Sequence, residues 1–351
     1  MKNKILSLQI LRAYAAILVA ICHIWNDGWL PKWFVNLGEY GVDVFFVLSG
    51  FIMSLTVKLN FDDKIKNSTV FILKRLIRIF PTYLIIAIPL LLFNIKAEGF
   101  KDLYFYFGNL TLLPSFTDDP DYKYVLGPGW TLCYEMLFYY LLAFLILFFD
   151  VKRKLLISCG IAILTIVIYV QVFNFQGPKL GWVNFSYIMG DPLLLNFSLG
   201  IISYFIYERF KNDLRISPYL GLVGIIAISL LAAYLIKSYP DDRFYAFGLP
   251  AFILVLIFLF IPLNEHSYLT KKMVLIGDAS YSIYLLHYYA AFFKPKVMLI
   301  NNFLNMNLDL YLNLMDISLL LSSIIIGCIF YLKVEMTIVN KLNFRMKVIT
   351  K

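Results

Sequence analysis

Charge is what this chain has least of. Asp, Glu, Lys and Arg supply 15% of its 351 residues, where a soluble domain carries about a quarter. With an apolar fraction of 61% and so little charge to cover it, a soluble globular or disordered chain is excluded. Cysteine is also sparse. Cys22, Cys133, Cys159 and Cys328 each fall inside an apolar run, where a thiol behaves as a small hydrophobe rather than a disulfide partner. No Cys/His spacing resembles a metal site, so no metal is expected. There is no internal repeat and no low-complexity tail. No convincing cleavage site follows the first apolar run, which Arg12 interrupts, so that run is expected to be an uncleaved span.

What is present in quantity is apolar and aromatic. Aromatics reach 18%, with 32 Phe and 25 Tyr, residues that suit lipid contact and the membrane interface. Long apolar runs separated by polar breaks predict spans near Leu8–Trp25, Val42–Leu59, Ile77–Ile95, Trp130–Phe149, Leu155–Phe173, Pro192–Tyr207, Ser217–Ile236, Tyr245–Leu263, Ser280–Ile300 and Tyr311–Leu332. Tyr104–Phe116 is too short and polar for a span and suits the interface. The predicted fold is all-α: a polytopic transmembrane helical bundle of about ten spans. Residues 1–351 are expected to form a single domain with no appended soluble domain, embedded in the lipid bilayer.

The net charge of +9 does not mark a nucleic-acid partner, because the cations lie in short loops between apolar runs. With both termini on the cytoplasmic side, 22 of the 31 basic residues fall inside and 9 outside. Every inner loop agrees with that bias. The longest outer loop is instead acidic, with Glu98, Asp102, Asp118, Asp119 and Asp121.

Ionisable groups inside spans are costly, so each is a functional candidate by default. His23 lies near the outer end of the first span, Asp43 and Glu135 near the outer starts of inward-running spans. These three are expected at a common depth. A His beside a carboxylate is a general-base pair, the acid fixing the imidazole tautomer. Each residue taken alone is as well read as a polar group satisfied by a neighbouring helix. His287 lies nearer mid-membrane and suits a bridge between helices.

A second constellation lies on the inner side. Arg75 and Arg78 are three apart and share a helix face, and their forked donors suit phosphate oxygens. Positive-inside anchoring accounts for part of this cluster, less readily for Arg12, which sits within an apolar helix. Arg12 and His23 are 11 residues apart, about 16 Å along a helix. A long donor held by its phosphates at the inner end could present its reactive tip deep in the membrane.

Five separated segments carry a family resemblance. Leu11-Arg12 through His23 resembles the opening Arg…His helix of the integral membrane acyltransferase-3 family, typified by bacterial O-acetyltransferases of surface polysaccharides. Gly41-Val42-Asp43-Val44-Phe45-Phe46-Val47-Leu48-Ser49-Gly50-Phe51 resembles its most recognisable signature. Arg75-Leu76-Ile77-Arg78 is similar to its Arg-x-x-Arg motif. Gly129-Trp130-Thr131-Leu132-Cys133-Tyr134-Glu135 resembles its Trp-Ser-Leu-x-x-Glu element, with Thr131 where Ser is usual. Ser280-Tyr281-Ser282-Ile283-Tyr284-Leu285-Leu286-His287 resembles its late Ser-Tyr-Ser-x-Tyr-Leu-x-His segment.

The resemblance implies acyl transfer from cytoplasmic acyl-CoA, usually acetyl-CoA, to a hydroxyl of an envelope glycan or glycolipid, in the bacterial inner membrane. It makes His23 the candidate base, Asp43 and Glu135 its partners or acceptor contacts, and Arg12, Arg75 and Arg78 donor contacts. Ser49, Trp130, Tyr281 and His287 are further candidates from the motifs. Neighbours on a helix point about 100° apart, so Cys22 and His23 are not expected to form a dyad. The competing reading from the residues is a transporter or flippase of a glycan or lipid, since several spans and buried charges fit that too.

Overall fold

The computed structural model describes residues 5–25, 28–60, 62–298 and 307–349. Leu299 and Ile300 of the ninth expected span and the cations Lys2, Lys4 and Lys351 lie outside the described residues. Where each of the ten spans is expected, the chain is helical. Seven helical stretches are long and apolar enough to cross a membrane on their own: Leu6–Ile24, Lys32–Thr56, Lys64–Glu98, Gly129–Ile146, Lys152–Val172, Pro218–Ser238 and Leu308–Met346. The other three expected spans are helices of another composition. Leu195–Phe210 has 16 residues and ends in Glu208 and Arg209, Phe244–Leu259 is apolar but short, and Ser280–Met298 carries His287, Lys294 and Lys296. No strand is present among the described residues apart from an isolated parallel bridge, Ser115 to Asn184.

The helices are α1 (Leu6–Ile24), α2 (Lys32–Val35), α3 (Leu37–Thr56), α4 (Lys64–Glu98), α5 (Leu103–Thr111), α6 (Gly129–Ile146), α7 (Lys152–Val172), α8 (Phe185–Gly190), α9 (Leu195–Phe210), α10 (Pro218–Ser238), α11 (Leu249–Leu259), α12 (Tyr268–Asp278), α13 (Ser280–Met298), α14 (Leu308–Phe330) and α15 (Met336–Ile349). Polar residues set several starts. Asp63 accepts from the amides of Ile65 and Lys66, Asp102 from Phe105, and Ser217 from Leu220 with Pro218 in the first turn. Each cap satisfies an amide that a helix start leaves without an internal partner.

The chain divides into two compact units. The first comprises Met1–Leu48 and Phe205–Lys333, the second Ser49–Tyr204 and Val334–Lys351. In the first, α1 is the central helix: Leu11, Ala13, Ala15, Ala16, Ala20 and Ile24 have no exposed surface. Glycine permits its closest neighbours. A Cβ on Gly277 of α12 would stand 1.8 Å from the Gln9 carbonyl oxygen, and one on Gly41 of α3 would stand 2.8 Å from that of Ala15. In the second unit, a Cβ on Gly50 would stand 2.2 Å from the Phe197 carbonyl oxygen of α9. The two glycines of the segment Gly41–Phe51 are therefore contact points for backbone.

The acidic loop before α6 belongs to the second unit. Its short helix α5 packs Gly108 under the ring of Trp182, where a Cβ would lie 1.9 Å from the indole. Leu103, Phe107 and Phe116 point outward, with Phe116 at 74% exposure, a face suited to the interfacial position expected for this stretch.

Candidate functional site

In the first unit, His23 occupies the last turn of α1. Its Nδ1 lies 2.9 Å from the Val19 carbonyl oxygen. A carbonyl can only accept, so Nδ1 carries a proton, and whenever the ring is neutral its lone pair is on Nε2. The hydrogen bond orients the ring. The ring is exposed on one side. On the other it meets His287 of α13, with centroids 5.0 Å apart.

His287 has no exposed surface. Its Nδ1 lies 3.4 Å from the Ile283 carbonyl oxygen, and its Nε2 is buried without a hydrogen-bond partner among the described residues. Tyr284 packs on the same ring at 5.8 Å and on Phe45 at 5.8 Å. Tyr281, one turn earlier on α13, is half-buried. Cys22 is directed elsewhere, against Gly38, whose added Cβ would stand 2.0 Å from that of Cys22.

Asp43 is wholly buried. Its Oδ2 accepts from Arg243 Nη2 at 2.9 Å, and Glu39 lies 3.8 Å from the same guanidinium. His23 meets the ring of His287, and Asp43 pairs with Arg243. A buried carboxylate needs a full opposite charge, which the Arg243 guanidinium supplies. Arg12, near the other end of α1, is half-buried with Nη1 3.5 Å from Gln9 Oε1.

The second unit assembles a different set. Glu135 of α6 accepts from Ser49 Oγ at 2.8 Å on the same oxygen that receives the Tyr139 hydroxyl. Two hydroxyl donors on one carboxylate oxygen hold the charge and fix its direction. Tyr139 also presents its ring to Arg75, whose guanidinium carbon lies 5.9 Å from that centroid and 5.5 Å from that of Phe71. Arg75 Nη2 donates to Thr56 Oγ1 at 3.2 Å, and its Nε is buried without a hydrogen-bond partner among the described residues. Arg78, one turn on, is half-buried. Trp130 opens α6 and sets its indole edge-on to Tyr134 at 5.8 Å. Thr131 donates its hydroxyl to the Pro128 carbonyl at 2.9 Å, a bond that a serine in that place could equally make.

Four contributors have no part in the sequence reading. Arg243 and Lys294 stand there among outer cations, and Tyr139 among the aromatics. Asp316 lies within the apolar run Tyr311–Leu332, so the rule that marks Asp43 could have marked it too. It has no exposed surface and pairs with Lys294 at 2.8 Å.

Comparison with known proteins follows this geometry. Residues 5–332 match the family described as Acyltransferase domain. ORF330 of Acidianus two-tailed virus is 25% identical over 79% of this chain and 80% of its own length. The exopolysaccharide production protein ExoZ of Rhizobium meliloti is 31% identical over 73% of this chain and 77% of its own. The O-acetyltransferase OatA of Staphylococcus aureus is 25% identical over 84% of this chain, and the match spans 50% of OatA. No solved structure matches. Several helices apolar enough to cross a bilayer make this a multi-pass membrane protein, and its sequence makes it an enzyme: the chain belongs to the acyltransferase-3 family of integral membrane acyltransferases.

Proposed function

We propose that this enzyme is an O-acyltransferase that moves an acyl group, acetyl in the first instance, from cytoplasmic acyl-CoA to a hydroxyl of an envelope polysaccharide or related glycan. The observation that carries the reading is the hydrogen bond from His23 Nδ1 to the Val19 carbonyl at an exposed residue, which leaves Nε2 to hold the lone pair of the neutral ring. Nε2 removes the acceptor proton as that oxygen attacks the thioester carbonyl. The resulting imidazolium returns the proton to the departing thiolate. Direct transfer needs no covalent intermediate on the protein.

Arg12 and His23 lie on one unbroken helix, so their separation is fixed at about 16 Å along its axis. Arg12, Arg75 and Arg78 take the donor's phosphates in this reading. The buried Nε of Arg75, a donor with no acceptor, supports that role. The Glu135 carboxylate, held by Ser49 and Tyr139, orients the acceptor. An acetyl donor is supported by the name of OatA, and a polysaccharide acceptor by that of ExoZ. The excess of cations on one side of the predicted spans supports an inner membrane location with both termini cytoplasmic.

Purified protein in detergent, given labelled acetyl-CoA and envelope glycan fractions, tests the scheme. Label should pass to glycan in wild type and not in His23→Ala. Full transfer by His23→Ala removes the proposed base. Mass spectrometry of envelope glycans with and without the protein identifies the group added and its acceptor.

A further inference from the structure

Lys294 makes two contacts at the end of the helix that carries His23. Its Nζ donates to the Ile24 carbonyl at 2.6 Å and lies 2.8 Å from Asp316 Oδ1. Ile24 is the last residue of α1, immediately after His23. Its carbonyl is one of those a helix end leaves without an internal partner, and the partial negative charge there favours a cation. Both charged groups are withdrawn from the surface, with the Lys294 side chain 12% exposed and that of Asp316 not at all.

The spacing on α13 extends the observation. Lys294 follows His287 by seven residues, nearly two full turns, so the two side chains leave the same face. Helix α13 therefore meets the last turn of α1 at two levels, His287 against the His23 ring and Lys294 on the Ile24 carbonyl. Helix α14 adds a second tie beside Asp316. Asn313, three residues earlier and buried, accepts from the Trp29 amide at 2.7 Å, which fixes the chain just beyond α1. An ion pair this buried is weak support for stability, because desolvating both charges costs about as much as their attraction returns. Its position at the end of α1 gives it another use.

We propose that the Lys294–Asp316 pair is a positioning strap. It clamps the last turn of α1 so that His23 keeps its seat over His287 and its Nε2 stays turned away from its own helix. Lys294 and Asp316 act through His23 and touch neither substrate. The consequence for catalysis rests on the reading of His23 as base; the geometric claim does not.

Carbethoxylation of the intact full-length protein in detergent, with diethyl pyrocarbonate and quantified for each histidine by peptide mass spectrometry, tests the strap. His266, 84% exposed, is the internal reference, and labelling of the buried Cys159 thiol reports unfolding. In wild type, His23 and His266 should react while His287 does not. In Lys294→Ala, His287 should become reactive at least tenfold faster, with His266 unchanged and Cys159 unlabelled, and Lys294→Arg should restore the wild-type pattern. Continued protection of His287 in Lys294→Ala overturns the proposal. If that variant exposes Cys159, the isosteric Asp316→Asn decides by the same readings. Unmasking of His287 with an undiminished rate of acyl transfer keeps the strap and removes His23 as the base.

Discussion

His23 and His287 lie ring to ring, with centroids 5.0 Å apart and planes tilted by 53°, one exposed and the other wholly enclosed. The two histidines should therefore respond differently to substitution. With His23 as the proposed base, His23→Gln should cost about 10²–10⁴ in kcat. Because the ring is exposed, thermal stability should stay within about 0.5 kcal/mol. His287→Ala opens a cavity beneath His23 and should lower both stability and rate. Turnover and thermal midpoints measured on the same preparations separate the two patterns.

The buried pair of Asp43 with Arg243 is expected to behave as a unit. Arg243→Met removes the positive charge beside a fully buried carboxylate and should destabilise the protein by about 3–5 kcal/mol. Adding Asp43→Asn should recover most of that loss. A double-mutant cycle on denaturation free energies measures the coupling, and independent, additive effects would contradict the pairing.

Ser49 and Tyr139 converge on one oxygen of Glu135. Hydrogen bonds to a charged acceptor contribute about 1.5–3 kcal/mol each. Ser49→Ala and Tyr139→Phe should each lower kcat by roughly ten- to a hundredfold. Tyr139→Phe keeps the ring face on Arg75 and should leave donor KM unchanged, whereas Tyr139→Leu removes that face and should raise it.

The acidic loop offers a pH signature away from the spans. Tyr122 donates its hydroxyl to Asp102. That bond raises the phenol to about 12, and it holds the Asp102 carboxyl below its usual value, aided by the Phe105 amide. The Tyr122 share of the contact is complete below the unfolded phenol value, about 10, and is lost as pH rises through about 12. The Asp102 share is complete above the unfolded carboxyl value, about 3.9, and is lost as pH falls through its lowered value. Ultraviolet titration of tyrosinate in wild type and Asp102→Asn should differ by one group, which ionises at lower pH in the variant.

Gly277→Ala should cripple folding. The new methyl would meet the Gln9 carbonyl oxygen, and backbone cannot swing aside as a side chain can. A yield of folded protein equal to wild type would contradict the close approach of α12 to α1.

Helices were legible wherever apolar runs are long, since length and hydropathy are local properties of sequence. The three that do not stand alone as apolar spans include α13, where tyrosines, a histidine and two lysines dilute the pattern. Candidate site residues stood out by the same logic: His23, Asp43 and Glu135 are ionisable groups in apolar surroundings. Their partners did not, because the link from Asp43 to Arg243 spans 200 positions and pairing between distant helices leaves no local trace. Lys294 is the clearest instance. Sequence order groups it with loop cations, and only the packing of α13 and α14 on α1 turns it inward.

Helix α4 runs for 35 residues, about 52 Å, against a hydrocarbon layer of about 30 Å. Its uncharged stretch begins just after Arg78, so the turns from Lys64 onward form a stiff mast continuous with the span. Arg75 and Arg78 ride where that mast meets the span, on backbone that is already helical. An incoming anion would find them without first having to freeze a flexible loop.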